Sequence, residues 1–86
     1  MIINKEEILK NHCFTELVYG RINKKLSANL SKVEAELLIK NVLETTEIDQ
    51  FQKKGKNFYI SNQQFNLKIT INSNTFRVIT VDKLKK

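Results

Sequence analysis

Proline and tryptophan are absent from this chain of 86 residues, glycine occurs twice, and cysteine and histidine once each. Without proline or a Gly/Ser-rich stretch, nothing marks a linker, and a single domain over 1–86 is expected. One cysteine excludes an intrachain disulfide, which fits a reducing cytoplasm. His12 beside Cys13 falls short of a structural zinc ligand set, and no metal or cofactor is expected. No apolar run reaches membrane-spanning length, so no membrane partner is expected. The opening Met1-Ile2-Ile3-Asn4-Lys5-Glu6-Glu7 turns acidic at once and lacks the basic start and apolar stretch of a signal peptide; a cytoplasmic location follows as an expectation.

What is present is enough for one small core. Hydrophobic residues make up 41% of the chain, close to the globular norm. The net charge is +6, and its placement matters more than its size. Residues 1–49 carry seven Lys/Arg and eight Asp/Glu, whereas residues 50–86 carry eight Lys/Arg and one acid. Lys83, Lys85 and Lys86 read as a solvated basic tail over 83–86. The remaining excess lies on the second half and makes acidic partners such as nucleic acid plausible.

The first half has helical patterning, with helices expected within 4–45. Asn4 followed by Glu7 starts a short helix in the manner of a capping box, and Asn11-His12-Cys13 breaks it. Thr15 is placed to cap a second helix carrying Phe14, Leu17, Val18, Ile22 and Leu26 near helical spacing. Gly20 lies inside that pattern, and a close helix contact or a kink would explain it. Ser31-Lys32-Val33-Glu34 is a cleaner capping box, and its helix ends near Thr45-Thr46.

From Ile48 the period changes to two, with strands expected within 47–82. Phe65, Leu67, Ile69 and Ile71 alternate with Asn66, Lys68, Thr70 and Asn72. Thr75–Asp82 is β-branched and aromatic, Asn57–Ser61 precedes the alternating strand, and Lys54-Gly55-Lys56 joins it to Ile48–Lys53. The fold class expected is α+β: two to three helices on one face of an antiparallel four-stranded meander. A two-residue turn at Ser73-Asn74 pairs Ile71 with Phe76 and Ile69 with Val78; a turn at Asn62-Gln63 pairs Ile60 with Phe65 and Phe58 with Leu67. In that register Tyr59, Asn66, Lys68, Thr70 and Arg77 share the face opposite the helices, with Ile79 and Val81 toward one end.

An aromatic ring beside cations suits stacked bases and phosphates. The candidate nucleic-acid-binding residues are therefore Lys54, Lys56, Tyr59, Lys68 and Arg77, with Lys54 and Lys56 on a glycine turn. The same residue types also furnish the ordinary wet face of a one-sided sheet. Arg21, Lys24 and Lys25 read as a solvated helix face, His12 as a cap or surface residue, and Cys13 as a small core residue. No carboxylate pair stands out, and the catalytic residues stay unassigned. Lysine, arginine and tyrosine could position a 2′-hydroxyl and stabilise phosphate charge without a metal.

Three blocks carry a resemblance: Thr15-Glu16-Leu17 with Arg21-Ile22 through Leu26; Lys54-Gly55-Lys56-Asn57-Phe58-Tyr59; and Ile69-Thr70-Ile71-Asn72 with Thr75-Phe76-Arg77-Val78-Ile79-Thr80. Over about Thr15 to Asp82 the chain resembles a family of small bacterial proteins known as a domain of unknown function, which implies no activity. Helices followed by a basic meander also look like the RelE/barnase/colicin-type ribonuclease toxins, a likeness of architecture alone. The functional expectation is a nucleic-acid-directed protein, RNA favoured, and in its strongest form a ribonuclease-like toxin of a mobile element. The alternative is a non-enzymatic protein-binding module, such as a phage or plasmid inhibitor or an antitoxin-like partner, using the Ile79/Val81 patch or a free strand edge to hold an acidic protein.

Overall fold

In the computed structural model, which describes residues 3–84, side chains that catch main-chain N–H groups three residues ahead start two of the three α-helices. Asn4 Oδ1 accepts from Glu7 N–H at 3.0 Å and opens α1 (Lys5–Asn11). Ser31 Oγ accepts from Glu34 N–H while Ser31 N–H donates to the Glu34 carboxylate, a complete capping box at the start of α3 (Lys32–Thr45). Between them α2 (Glu16–Leu26) follows Thr15, which holds the N-cap position without a side-chain hydrogen bond. Ser27, left-handed at φ 51°, ends α2. Asn23 then ties down the loop by bonding both the N–H and the carbonyl of Leu30. The helix runs through Gly20 unbroken, and nothing lies near where a Cβ would stand. Gly20 thus neither makes a close contact nor kinks the helix.

A short 3-10 turn, Ile48–Gln50, leads into a four-stranded antiparallel sheet with neighbours in chain order: β1 (Phe51–Lys54), β2 (Asn57–Asn62), β3 (Leu67–Asn72) and β4 (Val78–Lys83). The α+β class and the meander are as expected. Ile8, Val18, Ile22 and four residues of α3 bury themselves against Phe51, Phe58, Ile60, Leu67, Ile69, Ile71, Val78 and Val81 from one side of the sheet. Lys83 belongs to β4, opposite Leu67, rather than to a tail; Lys85 and Lys86 lie outside the described residues.

The turns depart from expectation in two ways. Lys54 pairs with Asn57 across Gly55-Lys56, and Gly55 takes φ 60° at the first central position, where a two-residue hairpin turn favours glycine. The next two hairpins use four-residue loops instead. Asn62 pairs with Leu67 and Ile60 with Ile69, so Phe65 sits in the loop rather than opposite Ile60. The slip from the expected register is even, so β2 and β3 keep the expected core side. Between β3 and β4, Ile71 pairs with Val78 but Thr70 with Thr80, which leaves Ile79 as the extra residue of a bulge. That slip is odd, and it reverses the faces of β4 from Thr80 onward, while Val78 keeps the expected core side. Val81 is fully buried opposite Ile69, Thr80 joins Thr70 on the outer face, and Lys68 faces Asp82 instead of Ile79. Arg77 closes the hairpin, its carbonyl accepting from Asn72 N–H, and also bridges Cys13 in parallel. An exposed Ile79/Val81 patch therefore does not exist.

Candidate nucleic-acid interface

The outer face of the sheet is built by alternation: each core residue places a neighbour on the other side. On β1 these are Gln52 and Lys54, on β2 Tyr59 and Ser61, on β3 Lys68 and Thr70, and on β4 Thr80 and Asp82. Tyr59 stands between Gln52 and Thr70, and Ser61 opposite Lys68. Gln52, Lys54, Tyr59, Ser61 and Lys68 line a shallow depression of about 260 Å³. Beyond the Thr70–Thr80 pair, Arg21, Lys24 and Lys25 of α2 line a second depression, about 450 Å³, with Thr80. The row Tyr59–Thr70–Thr80 runs across the strands from one depression to the other. Thr70 is only 6% exposed, and the Thr80 hydroxyl is buried with no hydrogen-bond partner among the described residues.

Charge on this surface is nearly of one sign. Asp82 is the one acid in the four strands, and Lys25 holds it at 3.2 Å. Lys54, Lys68, Arg21 and Lys24 make no ion pair among the described residues. The two tyrosines differ in availability. Tyr19 donates to Glu36 Oε2 at 2.6 Å, stacks on Phe14 and lies under the Lys32 ammonium. The bond to that carboxylate, with some burial, pushes its hydroxyl up to about 12. Tyr59 has only a long contact, 3.5 Å, from Asn57 Nδ2 to its hydroxyl, so its ring stands free on the open face.

Of the five residues singled out from the sequence, the structure brings three together: Lys54, Tyr59 and Lys68. Lys56 lies at the turn tip, where its carbonyl accepts from Ser73 N–H and Oγ–H and docks one turn on another. Arg77 is elsewhere, in a cleft with Thr15, Leu17, Val18, Arg21, Val78 and Ile79. The longer loop is the reason: Ile71 pairs with Val78, so Arg77 stands opposite Asn72 at the end of the hairpin instead of opposite Thr70. Sequence reasoning passed over Arg21, Lys24 and Lys25. On α2 these cations flank the buried line of Val18 and Ile22, with Lys25 on the same side of the helix as that line.

The remaining chemistry lies off this surface. His12 turns Nδ1 toward the carbonyls of Ile8 and Leu9 and meets Phe14 edge-on, acting at the end of α1. Cys13 is exposed rather than a core residue; its main chain pairs with β4, so its position serves the backbone. No cluster of metal-ligating side chains occurs among the described residues, and no helix is long and apolar enough to cross a membrane.

Residues 6–82, from α1 to Asp82, match the family described as protein of unknown function (DUF3781). The chain belongs to this family. No curated protein and no solved structure matches it. The DUF3781 match takes in both depressions and the arginine cleft, so the surface described above lies within the shared domain.

Proposed function

We propose that this DUF3781 protein binds single-stranded RNA across the open face of its sheet. The observation that carries this reading is the continuity of the surface: a free tyrosine ring and two lysines on the strands lead over a polar floor to three cations on α2. Tyr59 supplies a stacking platform for a base, and Lys54 and Lys68 neutralise phosphates beside it. Arg21 and Lys24 form a second cationic bank. Gln52 and Ser61 offer donors and acceptors at the height of the ribose, where a 2′-hydroxyl is recognised. Binding rather than cleavage fits the face. A lysine–arginine–tyrosine mechanism would want Arg77 beside Tyr59, and Arg77 lines a different cleft.

The test is the affinity of the purified protein for a labelled single-stranded RNA across a salt series. Salt-dependent binding is expected. Tyr59→Ala should weaken it by about 1–3 kcal/mol. Lys68→Ala and Lys24→Ala should each lower the salt slope by about one. RNA left unbound at low salt, or bound equally by the Tyr59→Ala/Lys68→Ala double variant, would sink the reading. Shortened RNA would add a hydrolytic step to it.

A further inference from the structure

The arginine cleft is separate from the sheet face and has a character of its own. Arg21 comes from α2 and Arg77 from the segment before β4, and both side chains line one cavity of about 180 Å³. Neither makes an ion pair among the described residues. The other lining is mostly apolar: Val18, Val78 and Ile79, with Leu17 at the rim, 77% exposed. The walls are fixed rather than loosely apposed. Cys13 N–H donates to the Phe76 carbonyl and Val78 N–H to the Cys13 carbonyl, which ties the approach to α2 onto the start of β4.

The backbone is bent to place Arg77 there. Phe76, immediately before it, is left-handed at φ 59°, a conformation that is unfavourable for a bulky side chain. The bulge at Ile79 follows two residues after Arg77. The left-handed turn residue and the bulge bracket Arg77 and Val78 at the start of β4. Two exposed guanidinium forks beside an apolar wall match a group with several charged oxygens at the end of an apolar body.

We propose that this cleft receives a phosphomonoester. Such a group carries nearly two charges and three terminal oxygens, whereas an internal phosphate of a strand carries one charge and two. The apolar wall beside the arginines takes the attached nucleoside, and Leu17 flanks its entrance. The source is either the 5′-phosphate end of an RNA or a free mononucleotide. Arg21 lines both this cleft and the depression beside Thr80, so a strand lying on the sheet face places its end here. The strand-end form rests on the RNA-binding reading; the mononucleotide form does not.

The experiment has two arms. In the first, a short RNA with a 5′-phosphate is compared with the same RNA ending in a 5′-hydroxyl. The phosphorylated form should bind at least about tenfold tighter, the size of one or two charge-assisted hydrogen bonds. The preference should vanish in Arg77→Gln and in Arg21→Gln, return in part in Arg77→Lys, and survive in Lys68→Ala. In the second arm, AMP and adenosine are titrated while main-chain amide resonances are followed. AMP but not adenosine should shift the amides of Thr15 to Val18 and of Arg77 to Ile79. Equal affinity for the two RNAs combined with no AMP response overturns the proposal, as does a phosphate preference that persists in both glutamine variants. An AMP response in a protein that binds no RNA upholds the cleft and removes the strand-binding reading. Both arginine side chains are exposed, and Arg77 pairs with Cys13 through the main chain, so the glutamine variants should fold.

Discussion

The two long hairpin turns have the same geometry and different consequences. In each, an asparagine opens the loop and its Oδ1 accepts an N–H three residues on: Asn62 from Phe65 at 2.8 Å, Asn72 from Thr75 at 3.0 Å. In each, the fourth residue after it is left-handed at φ 59°, Asn66 in one and Phe76 in the other. Beyond that they part. Asn62 is 3% exposed and also donates to the Val42 carbonyl and the hydroxyls of Thr45 and Thr46, where α3 ends. Asn72 sits nearer the surface, and its second bond, to Asn74 N–H, stays within its own loop. The first turn fastens the sheet to the helices; the second leaves the strand after it free to bulge and present Arg77. One loop design therefore serves as an anchor or as an aiming device, according to what its asparagine reaches.

The comparison breaks first at Asn62. Asn62→Ala should cost about 3 kcal/mol, because it strands buried partners on α3 and in the loop. Asn72→Ala should cost about 1 kcal/mol, since water can reach the groups it releases. Equal costs in urea unfolding would show that the link to α3 is not what separates the turns. The next difference concerns the left-handed residues. Phe76→Gly should be more stable than Phe76→Ala by about 1 kcal/mol, against the usual order, because only glycine escapes the left-handed penalty. Both variants lose the ring contact with Phe58, so their difference isolates the backbone. Alanine proving the better residue would deny the strain. The smallest effect separates these turns from their helical counterpart. Ser31 catches Glu34 N–H as the asparagines catch theirs, but its reciprocal partner titrates. Hydrogen bonds from the Ser31 main chain and then its side chain hold the Glu34 carboxyl below its usual range. Its stabilising contribution is therefore present above the ordinary carboxylate range and lost as pH falls through the lowered value. A small acid-side loss of stability that disappears in Glu34→Gln is the expected result; an unchanged pH profile in that variant would argue against the box.

Much of this architecture was legible because local signals were explicit. The Ser31 box, the Lys54-Gly55-Lys56 turn and the alternation from Leu67 to Asn72 each name an element, and the period change near Ile48 divides helices from strands. Register was less legible, for a physical reason. Both four-residue loops put a residue other than glycine in the left-handed position, so neither advertises its length. An even slip left the faces of β2 and β3 correct, and with them the grouping of Lys54, Tyr59 and Lys68. The odd slip at Ile79 could not be seen in Val78-Ile79-Thr80-Val81, where every residue is β-branched and either face would accept each in turn. The unadvertised length of the loop before β4 moved Arg77 from opposite Thr70 to the end of the hairpin and into the cleft. The helix cations were lost to a different habit: exposed lysines and arginines on a helix are common, and only the tertiary packing of α2 shows that they border Thr80.

The parallel pairing of Cys13 with Arg77 has a consequence for how the protein behaves in a crowd. A sheet with two bare edges can add strands from other molecules at either end and so polymerise. Here the chain's own early segment bridges the last strand at its start, and α2 packs along that side. The opposite edge is β1, four residues long, with charges at Lys53 and Lys54. A molecule with one capped margin and one short, charged margin has no repeating way to stack strand on strand, which favours staying dispersed at high concentration.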